Sequence, residues 1–336
     1  MRPTVFILSF ISIFLFTVPA SAQVMRGVTS SVGVTEQDII DAGELGANVI
    51  RYPLYTDKPE DYMTESAYYA WLDRALDRLD DLMPAFEQAG VKVIISMHMP
   101  PGGAYLQKGQ SVYRLFSEAW TQQAIVVAWD TIARRYATNP NVWGYDTLNE
   151  PQVKKVVKGL KDWNKIASDI AYAIRAVDSA HYIIIESIYG NPSLISKLKV
   201  IPLPGIVYSV HMYYPLSFQH QGLYGNKMGI AYPTKKLNKK HLAKILKPVV
   251  TFAKKKRVPI YIGEFSAIRW APGGSAYSYL ADTLDIMEQN GWHWTYHAFR
   301  EANAWSVEHT SDYYDHNPAA SMTDREMLLR QYFNRN

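Results

Sequence analysis

Short apolar runs rich in Val, Ile and Tyr alternate along this chain with longer stretches whose apolar residues recur every three to four positions. That alternation predicts βα units wound around a parallel sheet. Eight runs read as strands, at residues 25–30, 49–54, 91–98, 142–148, 182–187, 206–212, 259–265 and 292–299. Helical spacing covers residues 36–45, 71–88, 122–136, 160–177, 241–256 and 277–289, and a last helix is expected after Thr323. Gly46, Gly90 and Gly291 stand where helices should stop, because glycine takes the left-handed conformation without a Cβ clash. The fifth unit is the weakest: residues 191–204 carry Pro192, Pro202 and Pro204 and leave room for only a short helix. Eight such units predict closure into a single α/β domain, a (β/α)8 TIM barrel. No internal repeat, low-complexity tract or linker run points to a second domain.

The first 22 residues stand outside that pattern. Arg2, an apolar run from Val5 to Val18 and the small residues Pro19-Ala-Ser-Ala22 read as a signal peptide cleaved after Ala22, with residues 23–336 as the exported catalytic domain. The run is shorter than the roughly 20 residues that span a bilayer, so no membrane partner is expected after cleavage. The expected location is the periplasm or the medium. A formal charge of +4 over 336 residues calls for no nucleic acid. Zero cysteines exclude disulfides and thiolate zinc ligation, so a large core must supply stability. The tracts Lys235-Lys236, Lys239-Lys240 and Lys254-Lys-Lys-Arg257 read as solvated helix ends, the last favoured by the negative end of the helix dipole.

In such a barrel the active site lies at the carboxyl ends of the strands. Here those ends are loaded with polar residues: Arg51 on strand two, His98 on three, Asn149-Glu150-Pro151 on four, His211-Met-Tyr213 on six and Glu264 on seven. Carboxylates at the tips of strands four and seven would face each other across the mouth. Glycoside hydrolysis needs such a pair, one carboxyl protonated to donate to the leaving oxygen and one ionised to attack or to stabilise the oxocarbenium-like centre. Either Glu alone could be a structural ion pair; the pair with its Arg, His and Tyr companions argues otherwise. The chemistry needs neither metal nor cofactor. A metal-dependent hydrolase would show His-x-His at a strand tip, yet strand one ends in Thr29-Ser30 and position 100, two beyond His98, is proline.

These segments resemble glycoside hydrolase family 5, the cellulase and mannanase family. The matching stretches are Asn48-Val-Ile-Arg51, His98-Met-Pro-Pro-Gly102, Trp143-Gly-Tyr-Asp-Thr-Leu-Asn-Glu-Pro151, Val210-His-Met-Tyr-Tyr-Pro215 and Ile262-Gly-Glu-Phe265. The resemblance implies a retaining β-glycosidase, with Glu150 as acid/base, Glu264 as nucleophile and Asn149 bonding the sugar's 2-hydroxyl. Arg51 would then lower the pKa of Glu264, and Tyr213 would donate to the same carboxylate. His211 and His98 would orient the acid/base and bind the sugar before the scissile bond. The implied partner is a polysaccharide or oligosaccharide, with endo-action on a β-1,4-linked glucan first and mannanase, exo-glycosidase, transglycosylase or a sugar-binding pseudoenzyme as alternatives. A monomer is the expected state.

Strand eight departs from the family, which places a sugar-stacking tryptophan there. Trp294-Thr-Tyr-His-Ala-Phe299 puts His297 at that position, with Phe299 and Trp305 as the nearest substitutes. Alternation assigns Trp294, Tyr296 and Ala298 to one face and Thr295, His297 and Phe299 to the other, so only one set can point into the mouth. Tyr105, Tyr214, Trp270 and Trp305 follow strands three, six, seven and eight as further platform candidates, whereas Trp71, Trp129 and Trp163 sit in helical patterns and read as core.

Overall fold

Period-two burial explains how the barrel is filled. The computed structural model describes residues 23–336; the leader assigned to residues 1–22 lies outside them. Eight parallel strands close into a barrel: β1 Arg26–Ser30, β2 Val49–Leu54, β3 Lys92–Met97, β4 Val142–Asp146, β5 Tyr182–Glu186, β6 Ile206–Met212, β7 Ile260–Phe265 and β8 His293–Phe299, with β8 pairing back onto β1. Val49, Ile94, Ile184, Val207 and Tyr261 form a small cluster with Met25, apart from the larger core. Their neighbours Ile50, Val93, Ile95, Ile183, Ile185, Tyr208 and Ile262 belong to that larger core, shared with the surrounding helices. One step of two residues above the inner cluster, the same faces carry Arg51, Ser96, Glu186 and Ser209, so the apolar plug passes directly into polar residues at the mouth.

β7 breaks the alternation where function needs it. Val210 pairs with Ile262 but His211 pairs with Glu264, so Gly263 is an extra residue in the ladder and Glu264 turns to the side its parity would deny it. A Cβ at Gly263 would stand 2.9 Å from His211 Nε2 and 3.0 Å from Ser209 Oγ, so this position has no space for a side chain.

Most helices begin at a side-chain cap. Thr35, Thr64, Asp162, Asn238 and Thr323 accept backbone N–H groups from Asp38, Ala67, Lys165, His241 and Glu326. Thr64 lets the second helix start at Glu65, six residues before the apolar spacing becomes legible, and run to Ala89. Gly46 and Gly90 close helices at φ 103° and 65°, as expected. The fifth unit has only the 3-10 turns Ile188–Gly190 and Pro192–Lys197, as its prolines predict. A hairpin, Ala104–Gln107 with Gln110–Tyr113, was not visible in the apolar pattern: its faces are half exposed and carry little periodic signal.

Candidate active site

Arg51 is the hub of the mouth. Wholly buried, it donates from Nε to Asp146 Oδ2 at 2.8 Å, from one terminal nitrogen to Glu264 Oε1 at 2.6 Å, and from the other to Glu186 Oε1 at 2.9 Å and Asn149 Oδ1 at 2.8 Å. The bond to its oxygen orients Asn149 so that its amide N–H groups are left for another acceptor. Tyr213 donates to the second oxygen of Glu264 at 2.7 Å, so that carboxylate is fixed from both sides. Burial alone would push the Glu264 carboxyl up, but the charges of His211 and Arg51 outweigh it and hold it well below the ordinary carboxylate range. Tyr213, by contrast, is driven well above the usual phenol value by burial and by Glu264, so it stays a neutral donor.

His211 bridges two carboxylates. Its Nδ1 lies 2.8 Å from Glu150 Oε1 and its Nε2 3.2 Å from Glu186 Oε1. Burial opposes the imidazolium, yet Glu186, Glu264 and the bond to Glu150 raise His211 well above its ordinary value, so both ring nitrogens donate. Glu150 takes φ 42°, a left-handed conformation that costs a residue with a Cβ. Glu186 Oε2 anchors it by accepting its backbone N–H at 2.8 Å. Gly190 must be bare, since a Cβ there would come within 3.0 Å of Glu150 Oε1. Glu150 Oε2 carries no hydrogen bond among the described residues, and Glu150 lines the cavity described below.

The atoms that Glu150, His211 and Glu264 present to one another all lie within 4.8 Å, close enough to suggest a cation site. The donor set argues against it: an imidazolium whose two N–H groups are engaged offers no lone pair. His98 is the opposite case. Burial, with Arg51 beside it, pushes it down to about 3, and its Nε2 is buried without a partner among the described residues. A neutral imidazole with a free nitrogen is suited to a sugar hydroxyl. Tyr113 donates to the carbonyls of His98 and Asn149, holding the tips of β3 and β4 together.

A cavity of 340 Å³ opens over the two glutamates. Tyr189, Tyr214, Leu216, His220, His297 and Trp305 line it together with Glu150, His211, Tyr213 and Glu264. On β8 the inward set is Thr295 and His297: the Thr295 hydroxyl bonds Gly263 O inside the barrel, while Trp294 stacks outward on Phe333. Phe299 does not follow them, because the β1 pairing shifts register before it, and it packs in the outer core. His297 lies 5.9 Å from the Tyr213 ring and 5.7 Å from the Trp305 ring; Trp305 is held by Nε1 donating to Gln219 O. Trp305, brought in by the loop after β8, thus supplies an aromatic face beside a histidine. Trp270 is not in this cavity; it donates to Gln221 O under Arg269. Tyr105 lies beneath Arg114 on the hairpin. Trp71, Trp129 and Trp163 are core, as expected.

Arg51, Asn149, Glu150, His211, Tyr213, Glu264, His297 and Trp305 therefore converge, with His98 adjoining. Sequence reading missed Asp146, Glu186, Tyr189 and His220. Glu186 was open to discovery, standing two residues beyond the inward Ile184 at a strand tip. Burial and the neighbouring Glu186 raise Asp146 to about 7 against Arg51, whereas His211 and Arg51 overcome burial to lower Glu186. Replacing Glu186 with Gln removes the anion facing His211 Nε2. His211 then loses its proton, and with it the bond from Nδ1 to Glu150, at lower pH, so the basic limb of the pH–rate profile should move down and kcat/KM fall roughly tenfold. A uniform loss with an unchanged profile shape would show that Glu186 is only structural.

The family model described as cellulase (glycosyl hydrolase family 5) matches residues 19–303. Endoglucanase C of Acetivibrio thermocellus is 26% identical over 290 residues, 76% of this chain and 81% of that protein. Cellodextrinase A of Ruminococcus flavefaciens is 22% identical over 244 residues, 70% of this chain and 69% of its own length. Among solved structures, Cel5A of Thermotoga maritima in complex with cellobiose superposes with a TM-score of 0.73 at 23% identity, covering 91% of this chain and 97% of that one.

Proposed function

Because the chain belongs to the cellulase family, glycosyl hydrolase family 5, and is a glycoside hydrolase, we propose that it cuts a β-1,4-linked glucan internally, with retention of anomeric configuration. Glu264 attacks the anomeric carbon while Glu150 protonates the leaving oxygen through Oε2. The resulting glycosyl ester on Glu264 is released by a water that Glu150 deprotonates. The observation that carries retention is the carboxylate spacing: an oxygen of Glu150 and an oxygen of Glu264 lie within 4.8 Å of each other, in keeping with the about 5–5.5 Å of retaining enzymes and short of the roughly 6.5–9.5 Å of inverting ones. Asn149 offers its amide to the 2-hydroxyl, and neutral His98 binds a hydroxyl of the same sugar. The names of the relatives, endoglucanase above all, support a glucan and internal cleavage.

The proposal extends to export by residues 1–22 and to a monomeric catalytic domain over residues 23–336. No helix among the described residues is long and apolar enough to cross a membrane. Reducing ends should appear on soluble cellulose and mixed β-glucan, with viscosity falling early, and not on mannan or xylan. Steady viscosity as sugars accumulate would mean exo-action instead. Products longer than the donor would mean transglycosylation.

Trp305 tests the reading of the platform. Trp305→Ala should lower kcat/KM on cello-oligosaccharides about tenfold to a hundredfold by removing a stacking face, whereas His297→Ala should cost less. The reverse order would assign the platform to His297.

A further inference from the structure

Between Glu186 and Glu264 the chain has no aspartate or glutamate, yet it has twelve lysines and one arginine. The rest of the sequence holds all 31 acidic residues against 22 Lys and Arg, so the formal charge of +4 conceals a strongly cationic stretch within an acidic remainder. In the fold that stretch includes the helix Lys239–Lys256, on the outer wall of the barrel between β6 and β7. Lys244, Lys247, Pro248, Phe252 and Lys255 recur at helical spacing on one face and, with Lys256, line a groove of 580 Å³ against Ser196 of the Pro192–Lys197 turn. Pro248 and Phe252 form its floor, and the four lysines stand exposed at its rim. Among the described residues, Lys239 is the one lysine or arginine of this stretch with a salt bridge, to Asp285 and Asp282.

Fold stability does not account for this arrangement. The dipole favours Lys254, Lys255 and Lys256 in the last turn, but Lys244 and Lys247 lie mid-helix, three residues apart, where like charges repel. We propose that this groove binds a linear acidic polysaccharide with a carboxylate on most of its sugars, anchoring the enzyme by its outer wall. From Lys244 to Lys255 the row extends about 16 Å, enough for several consecutive sugars. The helix enters β7 through Val258 and Pro259, at the end of the barrel opposite Glu264, so a chain bound here leaves the mouth clear.

The groove's shape and composition favour a polysaccharide over other polyanions. A bilayer would meet a concave surface with no large exposed apolar side chain on this helix to insert. A nucleic acid would find no exposed ring to stack on, because Phe252 is buried, and no arginine fork for phosphate among the groove residues. Lysine ammonium groups suit spaced single carboxylates. The anchor polymer is distinct from the glucan that is cut, so this inference does not rest on the substrate proposed above.

The test is affinity electrophoresis of the full chain through gels containing polygalacturonate, at about 20 mM and 300 mM salt. The wild type should be retarded at low salt and released at high salt. The variant K244Q/K247Q/K255Q/K256Q should bind at least tenfold more weakly, while K108Q/K154Q/K158Q/K165Q, with the same loss of charge outside the stretch, should bind as wild type does. Hydrolysis of a neutral soluble β-glucan should be the same in the wild type and the groove variant, which keeps failure of the anchor distinct from failure of the active-site reading. Absence of wild-type retardation at low salt, or equal weakening by the two variants, would overturn the proposal. So would retardation by phosphatidylglycerol vesicles or DNA where polygalacturonate has no effect, since it would give the surface to another partner.

Discussion

Glu264→Gln is expected to lose on the order of 10⁵-fold in kcat on β-glucan while the protein folds and binds oligosaccharide normally. The amide matches the carboxylate in shape and keeps an oxygen for Arg51 and a neighbour for Tyr213, so the loss reports chemistry rather than collapse. What disappears is the anion that His211 and Arg51 keep ionised at every working pH. Glu150→Ala should behave differently. Proton donation contributes about 10²–10⁴-fold, so polymer hydrolysis should fall by that much, yet aryl glycosides with good leaving groups should retain most of their first step. Azide, small enough for the space either truncation opens, separates the roles stereochemically. With Glu150→Ala it should attack the glycosyl ester and give a β-azide; with Glu264→Ala it should attack the sugar directly and give an α-azide. The opposite pairing would exchange the two assignments, and equal losses on polymer and aryl glycoside would remove Glu150 as the acid.

The contrast between Glu264 and Glu186 shows how far the sequence could be read. Arg51, His98, Glu150, His211 and Glu264 each close a run of apolar residues, and a polar side chain at the end of such a run has few roles other than lining the mouth. Glu186 also ends one, but without a neighbouring motif it looked like the end of a strand and no more. Its role depends on lying within 3.2 Å of a histidine on the next strand and within 2.8 Å of the Glu150 backbone, distances that come from strand register. Register also explains Glu264, whose inward aim needs the extra residue at Gly263; strict alternation from Tyr261 would have turned it outward. Strand eight was legible in parity and not in occupancy. His297 points in with Thr295, as one of the two faces had to, but the aromatic surface comes from Trp305, on a loop whose path no periodicity encodes. Capped helix starts and the hairpin after β3 were lost for a related reason, since side-chain caps and half-exposed strands leave little hydrophobic signal.

Arg51→Met should be the most destabilising single change at the mouth, and its pH dependence identifies why. Removing the guanidinium leaves Asp146, Glu186 and Glu264 buried around an apolar side chain, with His211 as the nearest remaining compensating charge. Breaking a buried ion pair from one side costs about 3–5 kcal/mol, which corresponds to a fall in Tm of roughly 5–10 °C in a domain of this size. In the wild type, Glu264 and Glu186 have folded pKa values below their unfolded ones. Their contribution is present above the unfolded value near 4.3 and is lost as pH falls through the folded value. In the variant, burial and mutual repulsion lift the folded pKa values above the unfolded ones. Such groups stabilise only below the unfolded value, and their contribution disappears as pH rises through the folded one. The stability gap between wild type and variant, measured by urea unfolding, should therefore be wide at pH 7 and narrow at pH 4. An equal gap at both would mean that lost packing around the Arg51 stem, and not charge, dominates. Arg51→Lys should fall between the two, because a single ammonium cannot present separate donors to three carboxylates and Asn149 at once. Its kcat/KM should remain well below wild type even where its stability recovers, since Glu264 would keep its charge but lose the geometry that aims it.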